Sequence, residues 1–253
     1  MKGTSASTCS LCLGTGWERV VAGNVSVRIC RCQKTILTEK RIERARIPMR
    51  FEKASFDNFK AYNVSLVKAF NQSKAFVESW PLVDSGLLYL GSVGTGKSHL
   101  AASVLRAVIE KGDSGLFYDV TELMKLLQSS YNPATNTSEI EILNPVFETP
   151  LLVLDEIGMT RPTEWVLETL QLIISKRYNE LRPVILTTNY LDAPGTGLLS
   201  TETLSERIGA RFRSRLLEMC REITVEGDDY RELIKNRRAP RITNLQEVND
   251  ASR

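Results

Sequence analysis

The chain has 253 residues, 42% of them hydrophobic and 25% charged, with a formal net charge of +3; such proportions fit one sizeable α/β domain with small appendages. No apolar run approaches the roughly 18 residues of a membrane span, and the first residues, MKGTSASTCS, lack the hydrophobic core of a secretion signal. A cytoplasmic protein without membrane contact is therefore expected, in which the five cysteines serve as thiols or metal ligands rather than disulfides. The charge is unevenly spread: residues 1–50 carry ten Lys/Arg against three Asp/Glu, residues 231–253 carry six against three, and the segment between is acidic. Basic ends of this kind point to a polyanion or an acidic protein surface, or to solvated flanks.

Four of the five cysteines fall in two close pairs, Cys9-x2-Cys12 and Cys30-x-Cys32. Two such turns can close a tetrahedral zinc site, each supplying two thiolates, and Val20, Val21, Val25, Val27 and Ile29 fit a hairpin across Gly23-Asn24. So short a segment cannot build a core, and a metal would supply its folding energy. Residues 1–32 are expected to be a Zn²⁺-binding segment; scattered thiols in a disordered arm are the alternative. Gln33 to Arg46 reads as a basic helix stopped by Ile47-Pro48, which makes residues 33–50 a helical linker. Phe51, Phe56 and Phe59 are expected to pack on the surface of a main domain set at residues 51–237, with stacking on nucleic-acid bases as the alternative. Residues 238–253 read as a flexible tail.

Within the main domain, apolar spacing predicts a helix from Val64 to Trp80 and a strand at Gly86–Leu90. Then comes GSVGTGKS, Gly91, Ser92, Val93, Gly94, Thr95, Gly96, Lys97 and Ser98, which has the form of a phosphate loop. The glycines let successive N–H groups turn inward toward phosphate oxygens, and a helix starting near Lys97 aims its positive end at the same anion. Lys97 can reach the β- and γ-phosphates, and the Ser98 hydroxyl can ligate Mg²⁺. That helix runs to about Lys111; a strand at Leu116–Tyr118, a helix from Glu122 to about Ser130, a polar loop at Tyr131–Ser138 and a short helix from Glu139 to Leu143, ending before Pro145, follow.

Leu151 to Leu154 is continuously apolar and leads into Asp155 and Glu156, as a strand buried on both faces of a parallel sheet would, with its carboxylates at the ligand-binding edge. Asp155 is expected to hold Mg²⁺ and Glu156 to polarise the attacking water. After a helix from Glu164 to about Tyr178, the strand Val184–Thr188 brings Asn189 to the same edge, where its amide can meet the γ-phosphate. A helix spanning Leu204–Met219 would place Arg207, Arg211 and Arg215 on one face, with Arg213 nearby. An arginine reaching a neighbouring subunit's γ-phosphate would stabilise the transition state. Cys220 reads as a small buried side chain, Glu222–Val225 as a last strand, and GDDYR, Gly227 to Arg231, as the opening of a short helix.

The ordered set GSVGTGKS, LLVLDEIG, VILTTNY, LSERIGARFRSRLLEMC and VEGDDYR, together with IPMRF and FDNF, resembles the AAA+ ATPases of the DnaC/IstB family over about residues 47–235. The family comprises helicase loaders and the ATPase helpers of certain transposases. The resemblance implies an AAA+ P-loop NTPase fold, a parallel sheet flanked by helices, with a small N-terminal four-cysteine zinc module. With only 38 residues after Arg215, the C-terminal lid would be minimal or absent. It implies an ATPase that self-associates, binds single-stranded DNA and delivers a replicative helicase, or alternatively serves a transposase on target DNA. By motif, Arg215 corresponds to the trans-acting finger and Arg231 to a second sensor of the nucleotide.

Overall fold

The computed structural model describes residues 9–22, 24–132, 138–158, 162–191 and 202–235. The chain divides into two compact units, residues 1–44 and residues 45–253; the expected tail at 238–253 and most of the expected loop at 131–138 lie outside the described residues.

In the first unit, β1 (Trp17–Ala22) pairs antiparallel with β2 (Asn24–Ile29), Trp17 lying opposite Ile29 and Arg19 opposite Val27. Helix α1 covers Arg31–Arg44, two residues earlier at each end than its composition indicates. The shift places Cys32 in the first helical turn.

The second unit is built on a five-stranded parallel sheet. Its strands are β3 (Gly86–Leu90), β4 (Gly115–Asp119), β5 (Leu151–Asp155), β6 (Val184–Thr188) and β7 (Cys220–Thr224), in the order β4-β5-β6-β3-β7. Strands β3, β5 and β6 are buried along their whole length, which is why they read as unbroken apolar runs. Helices α2 (Val64–Ser79), α3 (Lys97–Lys111), α4 (Val120–Ser130), α5 (Glu139–Glu148) and α6 (Glu164–Asn179) connect them. Asn63, Asp119, Ser138 and Thr163 cap α2, α4, α5 and α6 by accepting from backbone N–H groups, each cap contributing about 1 kcal/mol. Because β6 lies between β3 and β5, the carboxyl ends of all three strands meet at one edge.

Arg177 fixes the opposite edge. It is fully buried, and its guanidinium donates to the carbonyls of Val146, Phe147, Thr149, Pro150 and Pro183 at 2.7–3.2 Å. One side chain thus ties together the segments entering β5 and β6. Burial holds its pKa down at about 9.

Two helix expectations are corrected. Helix α5 runs through Pro145 to Glu148 instead of stopping at Leu143. The proline removes one hydrogen bond, a loss of about 3 kcal/mol, but extending the helix buries Val146 and Phe147, worth about 1.5–3 kcal/mol each. The predicted single helix at 204–219 is two, α7 (Leu204–Ile208) and α8 (Ala210–Met219), broken at Gly209 with φ 83° and ψ 142°. That backbone conformation is open to glycine and strained for other residues. Arg207 therefore does not share a continuous helical face with Arg211 and Arg215. Helix α9 (Tyr230–Lys235) follows β7.

Candidate nucleotide site and cysteine cluster

The phosphate-loop residues leave β3 and enter α3. Val225 N–H donates to Leu90 O at 2.7 Å, and Tyr230 N–H to Gly94 O at 3.1 Å, so the chain beyond β7 lies along the loop. At Gly94, φ is 78° and an added Cβ would stand 2.1 Å from the Asp229 carboxylate, so only glycine fits. Lys97 is 6% exposed, and its Nζ donates to the carbonyls of Gly91 (2.9 Å) and Ser92 (2.5 Å). Burial pulls its pKa down to about 8, against the opposing fields of Asp155 and Glu156. These two carbonyls hold the ammonium where a phosphate would replace them with stronger, charge-assisted bonds.

Asp155 ends β5 and is 5% exposed. Burial pushes its carboxyl pKa up, while hydrogen bonds from Thr187 and Ser98 and the field of Lys97 oppose the rise. The Thr187 hydroxyl donates to Asp155 Oδ1 at 2.5 Å and accepts from Glu156 N–H at 3.0 Å. Glu156 has φ 65°, a left-handed conformation costing about 1–2 kcal/mol in a non-glycine residue. Ile157 N–H to Thr187 O (2.8 Å) and the Thr188 hydroxyl to Ile157 O (2.8 Å) hold the same turn. Glu156 is also raised in pKa, first by burial and then by Asp155 and Asp119. Two adjoining carboxylates beside a hydroxyl make an oxygen-rich donor set whose charge a divalent cation would stabilise, which fits Mg²⁺, and Ser98 and Asp155 could hold it.

A cavity of about 230 Å³ brings Val93 to His99, Glu156, Thr187, Asn189, Tyr230 and Arg231 together. The predicted Val93, Gly94, Thr95, Gly96, Lys97, Ser98, Glu156, Asn189 and Arg231 thus share one site; Gly91 and Ser92 are bonded to its Lys97 and Asp155 to its Thr187. Phe56 and Phe59 pack on Phe70, at centroid distances of 5.5 and 6.1 Å, as the sequence indicates, but Phe59 also lines the cavity. Spacing gave no sign of Thr187, His99, Tyr62 or Arg50 in that lining; they come from separate segments that converge only in the fold.

The arginine row is dispersed. Arg207 pairs with Glu202 at 2.9 Å, donates to Gly158 O at 3.1 Å and lies over the Tyr190 ring. Arg213 is buried and bonds to Glu222. Both pairing acids, Glu202 and Glu222, lie outside α7 and α8. Arg215 is outside its own chain's cavity lining; it donates to the Ser175 hydroxyl and lies 5.5 Å over the Tyr178 ring.

In the first unit, the Sγ atoms of Cys9, Cys12, Cys30 and Cys32 all lie within 4.8 Å of one another, with Cys9–Cys30 at 3.8 Å and Cys12–Cys32 at 3.4 Å. Four sulfurs ~2.3 Å from a tetrahedral zinc stand about 3.8 Å apart, so the cluster fits that ion. The tight Cys30-x-Cys32 pair works because α1 begins between its members. Cys220 is buried, as read.

A family model described as IstB-like ATP binding protein matches residues 15–239. The replicative helicase loader DnaC of Buchnera aphidicola subsp. Acyrthosiphon pisum (strain APS) is 28% identical over 219 residues, 87% of this chain and 86% of that protein. The replicative helicase loader DnaC of Escherichia coli (strain K12) is 24% identical over 200 residues, 79% of this chain and 78% of that one. The crystal structure of the DnaC helicase loader aligns at 32% identity with a TM-score of 0.62, covering 70% of this chain and 99% of that one.

Proposed function

Since the chain belongs to the family of IstB-like ATP-binding proteins and has the AAA+ fold of its structural neighbours, we propose that it is an ATP-hydrolysing helicase loader. In this reading its copies assemble with ATP, bind single-stranded DNA and deliver a replicative helicase to it. The observation that carries the hydrolytic part is the linkage of Asp155 and Glu156 through one Thr187 hydroxyl, beside Lys97 and Ser98. The loader part is supported by the 86% span of a relative named as a replicative helicase loader.

ATP lays its phosphates along Gly91–Ser98. Lys97 exchanges its loop carbonyls for β- and γ-phosphate oxygens, and Asn189 and Arg231 contact the γ-phosphate. Bound at Ser98 and Asp155, Mg²⁺ would neutralise phosphate charge. Glu156 orients a water and accepts its proton as the water oxygen bonds to the γ-phosphorus and the bond to the ADP oxygen breaks. Arg215 serves the γ-phosphate of an adjoining copy. Cys9, Cys12, Cys30 and Cys32 hold Zn²⁺, and the exposed Leu13, Trp17, Val27 and Ile29 give this module an apolar face for the helicase.

Co-purification tests the partner. Glu156→Gln protein, loaded with ATP, should retain a hexameric replicative helicase, and Lys97→Ala protein should not. Retention of a transposase without the helicase would replace this reading with a transposition role.

A further inference from the structure

The arginines of α7 and α8 differ in what holds them. Arg207 and Arg213 are bound to carboxylates, Glu202 and Glu222, and each would have to break an ion pair to act elsewhere. Arg215 rests on neutral groups, the Ser175 hydroxyl and the face of the Tyr178 ring. Among the described residues no carboxylate is ion-paired with it. The acid three residues on along α8, Glu218, is at helical spacing for such a pair, yet it accepts from the Tyr178 hydroxyl instead. Tyr178 therefore does two things at once: its ring lies under the guanidinium, 5.5 Å from ring centroid to Cζ, and its hydroxyl engages the carboxylate that would otherwise compete for it. Ser175 and Tyr178 are three residues apart on α6, so both contacts come from one helical face. A planar cation held over a ring keeps its edge free for a phosphate, and a phosphate is a far stronger partner than a serine hydroxyl.

We infer that Tyr178, assisted by Ser175, is a positioning residue that holds Arg215 ready for the γ-phosphate of a neighbouring copy. This rests on the trans-arginine reading above. Tyr178 is outside its own chain's nucleotide-cavity lining; its effect on hydrolysis passes through Arg215 to the next subunit's site.

The test is complementation in mixed assemblies. Glu156→Gln subunits cannot hydrolyse ATP but donate an intact Arg215; Arg215→Ala subunits have an intact site but donate nothing. Mixing the two should restore hydrolysis. Donors carrying Glu156→Gln with Tyr178→Ala should restore it about tenfold less well or worse, the scale expected of a misplaced catalytic group. Donors with Tyr178→Phe, which keep the ring face but release Glu218 to compete for Arg215, should restore hydrolysis to a level between the Glu156→Gln donor and the Tyr178→Ala donor. Tyr178→Leu, which keeps apolar volume without the π face, should behave like Tyr178→Ala and separates the contact from a folding defect. As acceptors, Tyr178→Ala subunits supplied with Glu156→Gln donors should hydrolyse like Arg215→Ala acceptors, because their own pockets are intact; a merely structural defect would impair both directions. Equal restoration by all donors would overturn the positioning role and leave the finger reading standing. Failure of Glu156→Gln to rescue Arg215→Ala would overturn the finger reading, and the positioning role with it.

Discussion

Thr187 hydrogen-bonds in two directions, to the Asp155 carboxylate and to the Glu156 amide, and so sets both acidic groups of the proposed reaction from one side chain on the neighbouring strand. Thr187→Val keeps the shape and removes both bonds. The turnover number should fall about 10- to 100-fold, the scale of a displaced catalytic group, while ATP binding changes little; steady-state rates set against a nucleotide-binding isotherm read the two separately. Lys97 offers a second prediction. Its pKa in the free protein is held down at about 8, and bound phosphate favours the charged form, so above pH 8 binding must be accompanied by proton uptake. ATP affinity should therefore fall as pH rises from 8 toward 9.5, by about tenfold per unit at most, with uptake visible by calorimetry in buffers of different ionisation enthalpy. Affinity flat across that range would contradict the buried, partly neutral lysine. The contrast between these two residues shows what a sequence makes legible. Lys97 sits at a fixed spacing within one continuous loop, and that spacing is the chemistry. Thr187 acts across 32 residues of chain through β5 and β6 pairing, and nothing about a threonine at the end of an apolar run announces it.

At the scale of elements, strands buried on both faces could be read directly, because sheet burial demands unbroken apolar residues. Helix boundaries could not, because packing overrode local signals at Pro145 and backbone conformation overrode periodicity at Gly209. Gly209→Ala should lower stability by about 1–3 kcal/mol, a fall in melting temperature of several degrees for a domain of this size, through strain at φ 83°; unchanged melting would mean that α7 and α8 can merge without loss. In the first unit, four thiols cluster beside the hairpin and the start of α1, and α1 buries no residues of its own, so a metal held there would be coupled to folding. Purified protein should carry about one zinc per chain, and chelation should accelerate amide exchange in β1 and β2 while leaving β3 and β5 protected. Metal-free protein with slow exchange in the hairpin would remove the metal from the account.

Considered as a whole molecule, the second unit gathers the phosphate loop, Glu156 and Asn189 at one cavity, with Asp155 bonded to its Thr187, but presents Arg215 elsewhere, on α8. The proposed completion of the site by a second copy accounts for both facts, and under it assembly would be a condition of turnover. The phosphate loop alone implied a phosphate ligand; the order β4-β5-β6-β3-β7 is what brings the loop, the carboxylates and Asn189 to adjoining strand ends. The central claim, that ATP binding here drives delivery of a helicase, is tested most directly by the amount of hexameric replicative helicase retained on circular single-stranded DNA. With the wild-type chain and ATP, retention should rise well above that of the helicase alone, and with Lys97→Ala it should not; equal retention with and without the wild-type chain would contradict the account.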